Sequence, residues 1–295
     1  MSQPGQIRIG ISGWRYDGWR GTFYPEKLPQ KRELDFAAQH VNSIEINGTF
    51  YSTQKPQGFK SWSEETPDDF VFSVKGAQFI THVRRLQNVE TALANFLAQG
   101  MLRLGKKLGP ILWQFPPSFS YDPQRLEDFF SLLPRTHKQS AAYARQRDEW
   151  MASRSWFEVQ EDRPLHHAVE IRHKSFALPE YIELLRKYNV ALVVADSVKW
   201  PCMTDITADI VYCRLHGSEE LYASGYDEAA IDKWAHRVLA WSRGEEVTDG
   251  TRMHPEPGPR RDARDVFVYF DNDAKVRAPF DAESLSKRIE ELRNG

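Results

Sequence analysis

Short runs of Val, Ile and Phe recur along the chain, and segments with helical periodicity lie between them. Because β-branched and aromatic residues fit a pleated, buried surface, each run predicts a strand. The intervening segments place apolar residues three or four positions apart, which predicts amphipathic helices. The eight predicted strands span residues 7–12, 43–47, 70–75, 110–115, 167–171, 190–195, 210–215 and 265–270.

Cap and proline residues mark where several of these helices begin. Asp122 followed by Pro123 has the pattern of an N-cap and a first-turn proline. Pro179 is predicted to open a later helix. Asp227 and Asp281 are predicted to cap the last two helices. The chain therefore alternates between strand and helix about eight times.

This regular alternation predicts an α/β fold with a parallel sheet. Eight units that close on themselves form a TIM-like (β/α)8 barrel, which is the predicted fold, and an open doubly wound sheet is the alternative. Only 14 residues separate Ala195 from Ile210, and a crossover needs about 10–12. The α/β unit between strands 6 and 7 is therefore expected to be short or distorted.

The length of 295 residues predicts a single barrel domain over residues 1–295, because barrels of about 250 residues or more fold as one unit. Two stretches exceed what a barrel requires. Residues 136–165 carry an extra charged helical segment, and residues 242–264 are polar and rich in Pro and Gly, which is typical of a mobile loop. Both are predicted insertions, and either is a candidate lid.

Composition narrows the class of protein. The formal net charge of −2 provides no global electrostatic footprint for nucleic acid or an anionic membrane. Two cysteines are too few for a disulfide framework and fit a reducing compartment. No signal-peptide pattern or long apolar run is present. These features predict a cytoplasmic protein without membrane attachment. They disfavour nucleic acid as a partner without excluding it, and they leave the oligomeric state open.

The strands carry a second pattern, because one face of each becomes polar at its carboxyl end. In the fifth strand, for example, Val169 and Ile171 oppose Glu170 and Arg172. A fully buried parallel strand should be apolar throughout, and the carboxyl ends of barrel strands are where active sites are built. We therefore predict a polar cavity at this mouth. Its candidate residues are Glu45, Asn47, Lys75, Gln114, Glu170, Arg172, Asp196, Arg214, His216, Asp271 and Asn272.

The balance of charge on this face indicates the kind of ligand. Three basic side chains nearly match the four acidic ones, which favours a small polar or anionic ligand that is sugar-like or phosphorylated. A divalent metal prefers an excess of carboxylate and imidazole ligands. A metal-dependent hydrolase or isomerase is the alternative, and no cofactor is required by the sequence. In that alternative, the ligands of the metal ion would come from Glu45, Glu170, Asp196, His216 and Asp271.

Acid/base chemistry, of a hydrolase or isomerase class, is the leading functional hypothesis. Glu170 is the first choice as general acid or base, with Glu45 or Asp271 as its carboxylate partner. His216 would transfer a proton. The residues expected to hold the ligand are Asn47, Lys75, Gln114, Arg172, Asp196, Arg214 and Asn272.

Aromatic residues follow the first strand and open a third possibility. Trp14 and Tyr16 either stack on a sugar ring or a base, or pack over the top of the barrel. If they bind a ligand and Glu170 is dispensable, the protein is a non-catalytic module for a metabolite or nucleic acid.

The motifs also resemble a known family, the DUF72 or YecE-like family. The resemblance covers Ile7 to Asp273, and it implies a TIM barrel but assigns no activity or residue roles. The ordered motifs coincide with the polar strand ends. They read IGISGWRYDGWRGTFYP, SIEINGTFY, FSVKGAQFITHVRRL, LGPILWQFPPSF, HAVEIRHKSF, VVADS, YCRLHG and VYFDND.

Overall fold

The protein is described by a computed structural model that covers residues 3–217 and 221–295. Eight parallel strands close into a barrel in chain order, which confirms the predicted (β/α)8 fold and all eight predicted strands. The strands are β1 (Ile7–Ser12), β2 (Ser43–Ile46), β3 (Val71–Lys75), β4 (Leu108–Gln114), β5 (His167–Glu170), β6 (Val190–Asp196), β7 (Ile210–Leu215) and β8 (Asp265–Phe270).

Helices surround this barrel. The α-helices are α1 (Glu33–Ala37), α2 (Gly48–Tyr51), α3 (Pro56–Glu64), α4 (Glu90–Ala98), α5 (Pro123–Leu132), α6 (His137–Ala144), α7 (Pro179–Lys187), α8 (Glu228–Ser242) and α9 (Ala278–Asn294). Short 3-10 helices span Asp17–Trp19, Gln30–Arg32, Met101–Lys107, Glu149–Arg154 and Lys174–Phe176, and a π-helix spans Phe79–Val83.

Two of the predicted caps are confirmed and one is wrong. The Asp122 carboxylate accepts a hydrogen bond from the Arg125 amide, and the Asp227 carboxylate accepts one from the Ala230 amide. Asp281 does not cap the last helix, since α9 already begins at Ala278. Asp281 lies inside the first turn and accepts a hydrogen bond from the Asn272 amide group instead.

The segment between β6 and β7 contains no helix, which goes further than the short or distorted unit that the spacing predicted. Its residues 197–209 are all described. Thr207 ties the returning segment to β6, because its hydroxyl bonds to the Val190 carbonyl and accepts from the Leu192 amide. Loop structure thus replaces the helix in this unit.

Side chains on the two faces of the strands build two cores. The outward positions pack against the helices in one large cluster, which includes Val194, Cys213 and Phe270. The inward positions form a smaller cluster inside the barrel, which includes Ala168 and Val193. The interior also contains hydroxyl groups, since Ser43 and Ser73 both hydrogen-bond the Tyr269 hydroxyl. The charged inward side chains lie at the carboxyl ends of the strands.

Both insertions connect the end of a helix to the start of the next strand. Residues 242–264 lie between α8 and β8 and therefore begin and end at the opposite face from the barrel mouth. This placement argues against a lid. Residues 136–165 also start and finish at that face, but their middle runs beside α4, where Asp148 hydrogen-bonds Asn95. Within the described ranges, no helix is long and apolar enough to cross a bilayer.

A charged candidate site at the barrel mouth

One buried guanidinium connects three strands at the mouth. Arg214, on β7, binds both oxygens of Glu45 through Nε and Nη2, at 3.2 and 2.9 Å. Its Nη1 donates to Glu170 Oε2 at 2.6 Å, and its Nη2 lies 3.0 Å from Asp271 Oδ2. The alternation of polar positions along the strands is thereby converted into one compact cluster of opposite charges.

Neutral donors complete the surroundings of Glu45. Ser12 Oγ donates to Oε1 at 3.1 Å, and the Tyr212 hydroxyl donates to Oε2 at 2.7 Å. The side chain is fully buried. Ser12 and Tyr212 were not predicted as site residues, although both occupy inward positions of their strands and the alternation indicated them. Glu45 is held in one orientation by four contacts.

Glu170 is similarly fixed. Its Oε1 accepts a hydrogen bond from Arg172 Nε at 2.6 Å. Burial alone would raise the pKa of Glu170, but the charges of Arg172 and Arg214 outweigh it and hold the pKa well below the usual value. Asp271 is in the same situation, because Arg214 and His216 overcome the effect of burial and lower its pKa. Both carboxylates are therefore ionised at neutral pH.

His216 is buried between two of these carboxylates. Its Nδ1 lies 3.0 Å from Asp271 Oδ2, and its Nε2 lies 3.7 Å from Glu170 Oε2. Neither ring nitrogen has an aligned hydrogen bond to any described residue. The rings of Trp200 and Tyr222 contact the imidazole edge-on, at centroid distances of 5.3 and 5.5 Å. The imidazole is therefore enclosed by two acidic side chains and two aromatic rings.

Lys75 differs from the two arginines. Its Nζ lies 4.6 Å from the centre of the Phe50 ring, and only 7% of the residue is exposed. No carboxylate of the described residues lies within 4.0 Å of this ammonium group. Burial, together with the charge of Arg214, lowers the pKa of Lys75 to about 8. Lys75 is thus a buried cation whose proton is held weakly.

Asp273 is a candidate that the sequence reasoning missed, because the Asp-Asn-Asp triplet is equally typical of a turn. Burial and the charge of Asp271 raise the pKa of Asp273 to about 6. Its neighbour Tyr16 packs against the Trp19 ring at a centroid distance of 4.6 Å. The pair of aspartates therefore has separated pKa values, which is the pattern that acid/base sites use.

Two predicted residues do not join the cluster. Asp196 lies two positions after Val194 on β6 and therefore points outward like that residue. It accepts a hydrogen bond from the Trp234 indole on α8. Asn272 likewise points outward, where its amide donates to Asp281 and to the Ser224 carbonyl. Placing these residues at the cavity from their position beside a strand end was wrong, because the two-residue period directs them to the helices.

The remaining predicted ligand contacts lie close to the cluster. Gln114 is buried at an inward position of β4. The guanidinium of Arg172 lies 4.2 Å from the Trp200 ring centre, which adds a cation–π contact to its ion pair with Glu170. Asn47 contacts the side chain of Tyr16, and its Oδ1 is buried without a partner among the described residues.

The aromatic residues after β1 mainly pack. Trp14 is buried in the large core, with its ring edge-on to Trp62 at 5.4 Å. Tyr16 is half-buried, and its hydroxyl donates to the Ser12 carbonyl. Both line a cavity of about 320 Å³ together with Asn47. Both residues thus border this cavity while their rings pack against Trp62 and Trp19.

The donor set does not match the metal alternative. The described residues contain no group of three His, Cys, Asp or Glu side chains placed to hold a metal ion. The physical reason is the position of Arg214, whose guanidinium occupies the centre where Glu45, Glu170 and Asp271 meet. Asp196, a further predicted ligand, points away from this centre.

The strand order and the charged mouth define a (β/α)8-barrel protein with its candidate site at the carboxyl ends of the strands. The model of a family described as protein of unknown function DUF72 matches residues 8–295. The chain belongs to this family.

Individual relatives agree with this assignment. YunF of Bacillus subtilis is 31% identical over 118 residues, which cover 38% of this chain and 41% of the relative. YecE of Escherichia coli K12 is 30% identical over 127 residues, 43% of each protein. The matches thus span less than half the length of these relatives.

Solved structures extend the likeness to the whole fold. A DUF72 protein of Thermotoga maritima has a TM-score of 0.69 at 23% identity and covers 97% of this chain and 99% of its own. A DUF72 protein of Enterococcus faecalis has a TM-score of 0.65 at 19% identity, and the match covers 97% of this chain and 96% of that protein. These similarities show a shared barrel.

Proposed function

We propose that the protein is an enzyme that uses acid/base chemistry on a small polar ligand, sugar-like or phosphorylated, bound at the barrel mouth. The observation that carries this proposal is the contrast between Arg214 and Lys75. Arg214 is neutralised by three carboxylates, whereas Lys75 is buried without such a partner among the described residues. Lys75 is therefore the cation available to an incoming ligand.

The roles of the acidic residues follow from their contacts. Glu45 and Glu170 are held by Arg214 and by other donors, so they position the cluster. We assign proton transfer to Asp273, while Asp271, bound by Arg214 and beside His216, stays ionised and raises the pKa of Asp273. A carboxyl group with a pKa of about 6 exchanges a proton readily near neutral pH. This assignment differs from the one proposed from sequence, in which Glu170 was the acid or base and Glu45 or Asp271 its partner.

The two alternatives have less support. Metal-dependent chemistry needs a converging ligand set, and Arg214 occupies that position. A binding module based on Trp14 and Tyr16 needs accessible rings, whereas Trp14 is buried and Tyr16 is half-buried and stacked on Trp19. The one-domain organisation over residues 1–295 remains part of the proposal.

Thermal unfolding with a panel of free and phosphorylated sugars tests the proposal. A ligand that binds the folded state raises the midpoint of unfolding. We expect at least one compound to stabilise the wild type and Lys31→Met, a control at an exposed lysine, but not Lys75→Met. The proposal is contradicted if no compound stabilises the wild type, or if Lys75→Met responds equally.

Proton transfer is tested separately with the compounds that bind. Incubation in D2O followed by proton NMR detects exchange at carbon or cleavage of the ligand. We expect turnover with the wild type and its loss in Asp273→Asn. Asp17→Asn, at a side chain that is 96% exposed, is the matched control. Binding without any turnover would reduce the protein to a binding module.

A further inference from the structure

The environment of Lys75 is suited to more than electrostatic binding. Its Nζ lies at the barrel mouth, against the Phe50 ring, and the backbone that carries it is fixed because the Thr49 hydroxyl donates to the Lys75 carbonyl at 2.7 Å. We propose that Lys75 is a nucleophile that forms an imine with the aldehyde or ketone group of a small, uncharged, polyhydroxylated compound. This inference rests on the proposed function, because it places the ligand at the same mouth.

An amine attacks a carbonyl only in its neutral form. Burial and the charge of Arg214 bring the pKa of Lys75 to about 8, so a substantial fraction of this side chain is neutral near physiological pH. An ordinary lysine, with a pKa of about 10.4, is almost entirely protonated there. Desolvation beside another cation is an established way to activate a lysine.

The reaction needs no oxidant or reductant. The Nζ lone pair forms a bond to the carbonyl carbon, and the π electrons move to oxygen. One proton passes from nitrogen to that oxygen and gives a carbinolamine. The nitrogen lone pair then forms the C=N bond while the hydroxyl group leaves with a second proton as water. The overall change is amine plus carbonyl to imine plus water.

The neighbouring carboxylates support the later steps. Glu45, Asp271 and Glu170 all act electrostatically on Lys75 and favour its positive form. A protonated imine carries the same positive charge at the same nitrogen, so these groups also stabilise that species. The charge that makes a protonated imine an electron sink is thereby retained in the site.

The remaining charges select the class of carbonyl compound. With Lys75 used as a neutral nucleophile, the three carboxylates outnumber the guanidinium groups of Arg172 and Arg214. These five described side chains then sum to one negative charge. Hydroxyl groups donate hydrogen bonds to carboxylates, whereas a phosphate would be repelled. A small aldose or ketose fits better than its phosphate ester.

Reductive trapping tests the inference. The wild-type protein is incubated at pH 7 with D-glyceraldehyde and sodium cyanoborohydride, and the modified lysines are located by peptide mass spectrometry. We expect Lys75 to be modified at least about tenfold faster than exposed Lys31, and to react faster with D-glyceraldehyde than with its 3-phosphate. The rate at Lys75 should rise with pH to a half-maximum near pH 8, following its pKa. Lys31→Met should retain the Lys75 adduct, and Lys75→Met should lose this fast phase.

The alternative outcomes are distinct. Modification of Lys31 as fast as Lys75 overturns the nucleophile, and a faster reaction with the phosphate overturns the uncharged substrate class. Because the labelling is read at individual sites of the wild type, a misfolded Lys75→Met does not affect the result. Reversible stabilisation by sugars with no Lys75 adduct would overturn the imine and leave the proposed function standing. Absence of both the stabilisation by sugars and the Lys75 adduct would overturn the imine and the proposed function together.

Discussion

Arg214 and Glu45 form a bidentate ion pair across the barrel mouth, from β7 to β2, although 169 positions separate them in the chain. The planar fork of the guanidinium matches the two carboxylate oxygens. Both side chains are fully buried. The orientation of the whole charged cluster therefore depends on this pair, because Glu170 and Asp271 bind the same guanidinium.

Removing that guanidinium should strongly destabilise the fold. In Arg214→Met, three carboxylates lose their shared partner in a buried site, and we expect a loss of about 3–5 kcal/mol in the free energy of unfolding. Urea unfolding at pH 7 measures it. Arg32→Met, which removes an exposed ion pair with Asp35, should cost less than about 1 kcal/mol. Equal losses in the free energy of unfolding would show that the buried cluster stabilises the fold no more than an exposed ion pair does.

The hydroxyl of Tyr212 should contribute measurably through Glu45. Tyr212→Phe removes a 2.7 Å hydrogen bond to a buried carboxylate, which is worth about 1.5–3 kcal/mol. Tyr51→Phe is the matched control because this tyrosine is 70% exposed, and its effect should stay within about 0.5 kcal/mol. Chemical denaturation compares the two variants. A Tyr212→Phe protein as stable as the wild type would contradict the role of this bond.

Asp273 should make stability depend on pH. Its pKa is raised to about 6 in the folded state, so the fold favours the protonated form. The stability that protonated Asp273 contributes is fully present below its pKa in the unfolded chain, which is about 4. It is lost as the pH rises through 6. Asp273→Asn should therefore be more stable than the wild type at pH 7, by about 1 kcal/mol after allowing for partial exposure.

The comparison is made by thermal unfolding at pH 4 and pH 7. The difference between Asp273→Asn and the wild type should nearly vanish at pH 4. Asp17→Asn, at an exposed position, should show no such pH dependence. A difference that is constant over this range would mean that Asp273 does not titrate as described.

Gly76 directly follows the proposed nucleophile, and its lack of a side chain is required by close packing. A Cβ at this position would lie 2.3 Å from Cε3 of the Trp113 ring, which is fully buried. Gly76→Ala should therefore cost about 1–3 kcal/mol through overpacking. At Gly18 no atom lies within 4 Å of the equivalent position, so Gly18→Ala should be close to neutral. The denaturant midpoints of the two variants test this prediction, which is wrong if both variants unfold at the wild-type midpoint.

The local pattern of residue types along the chain was sufficient to predict the barrel fold. Runs of Val, Ile and Phe separated by helical periodicity predicted all eight strands, and the short spacing after Ala195 predicted an irregular unit, which proved to have no helix. The two-residue alternation within the strands placed Glu45, Glu170 and Arg214 inward, because successive side chains on a strand point to opposite faces. Asp196 and Asn272 were assigned wrongly where nearness to a strand end replaced that rule.

Only the closed barrel decided which charges meet. The partners of Arg214 come from β2, β5 and β8, and their distances depend on strand register and side-chain rotamers that no local pattern contains. Burial then sets the proton affinities, since desolvation and neighbouring charges act through space. The sequence by itself determined the fold and the set of inward polar residues. The tertiary structure decided that Arg214 is neutralised while Lys75 stays without an ion pair within the described part of the chain.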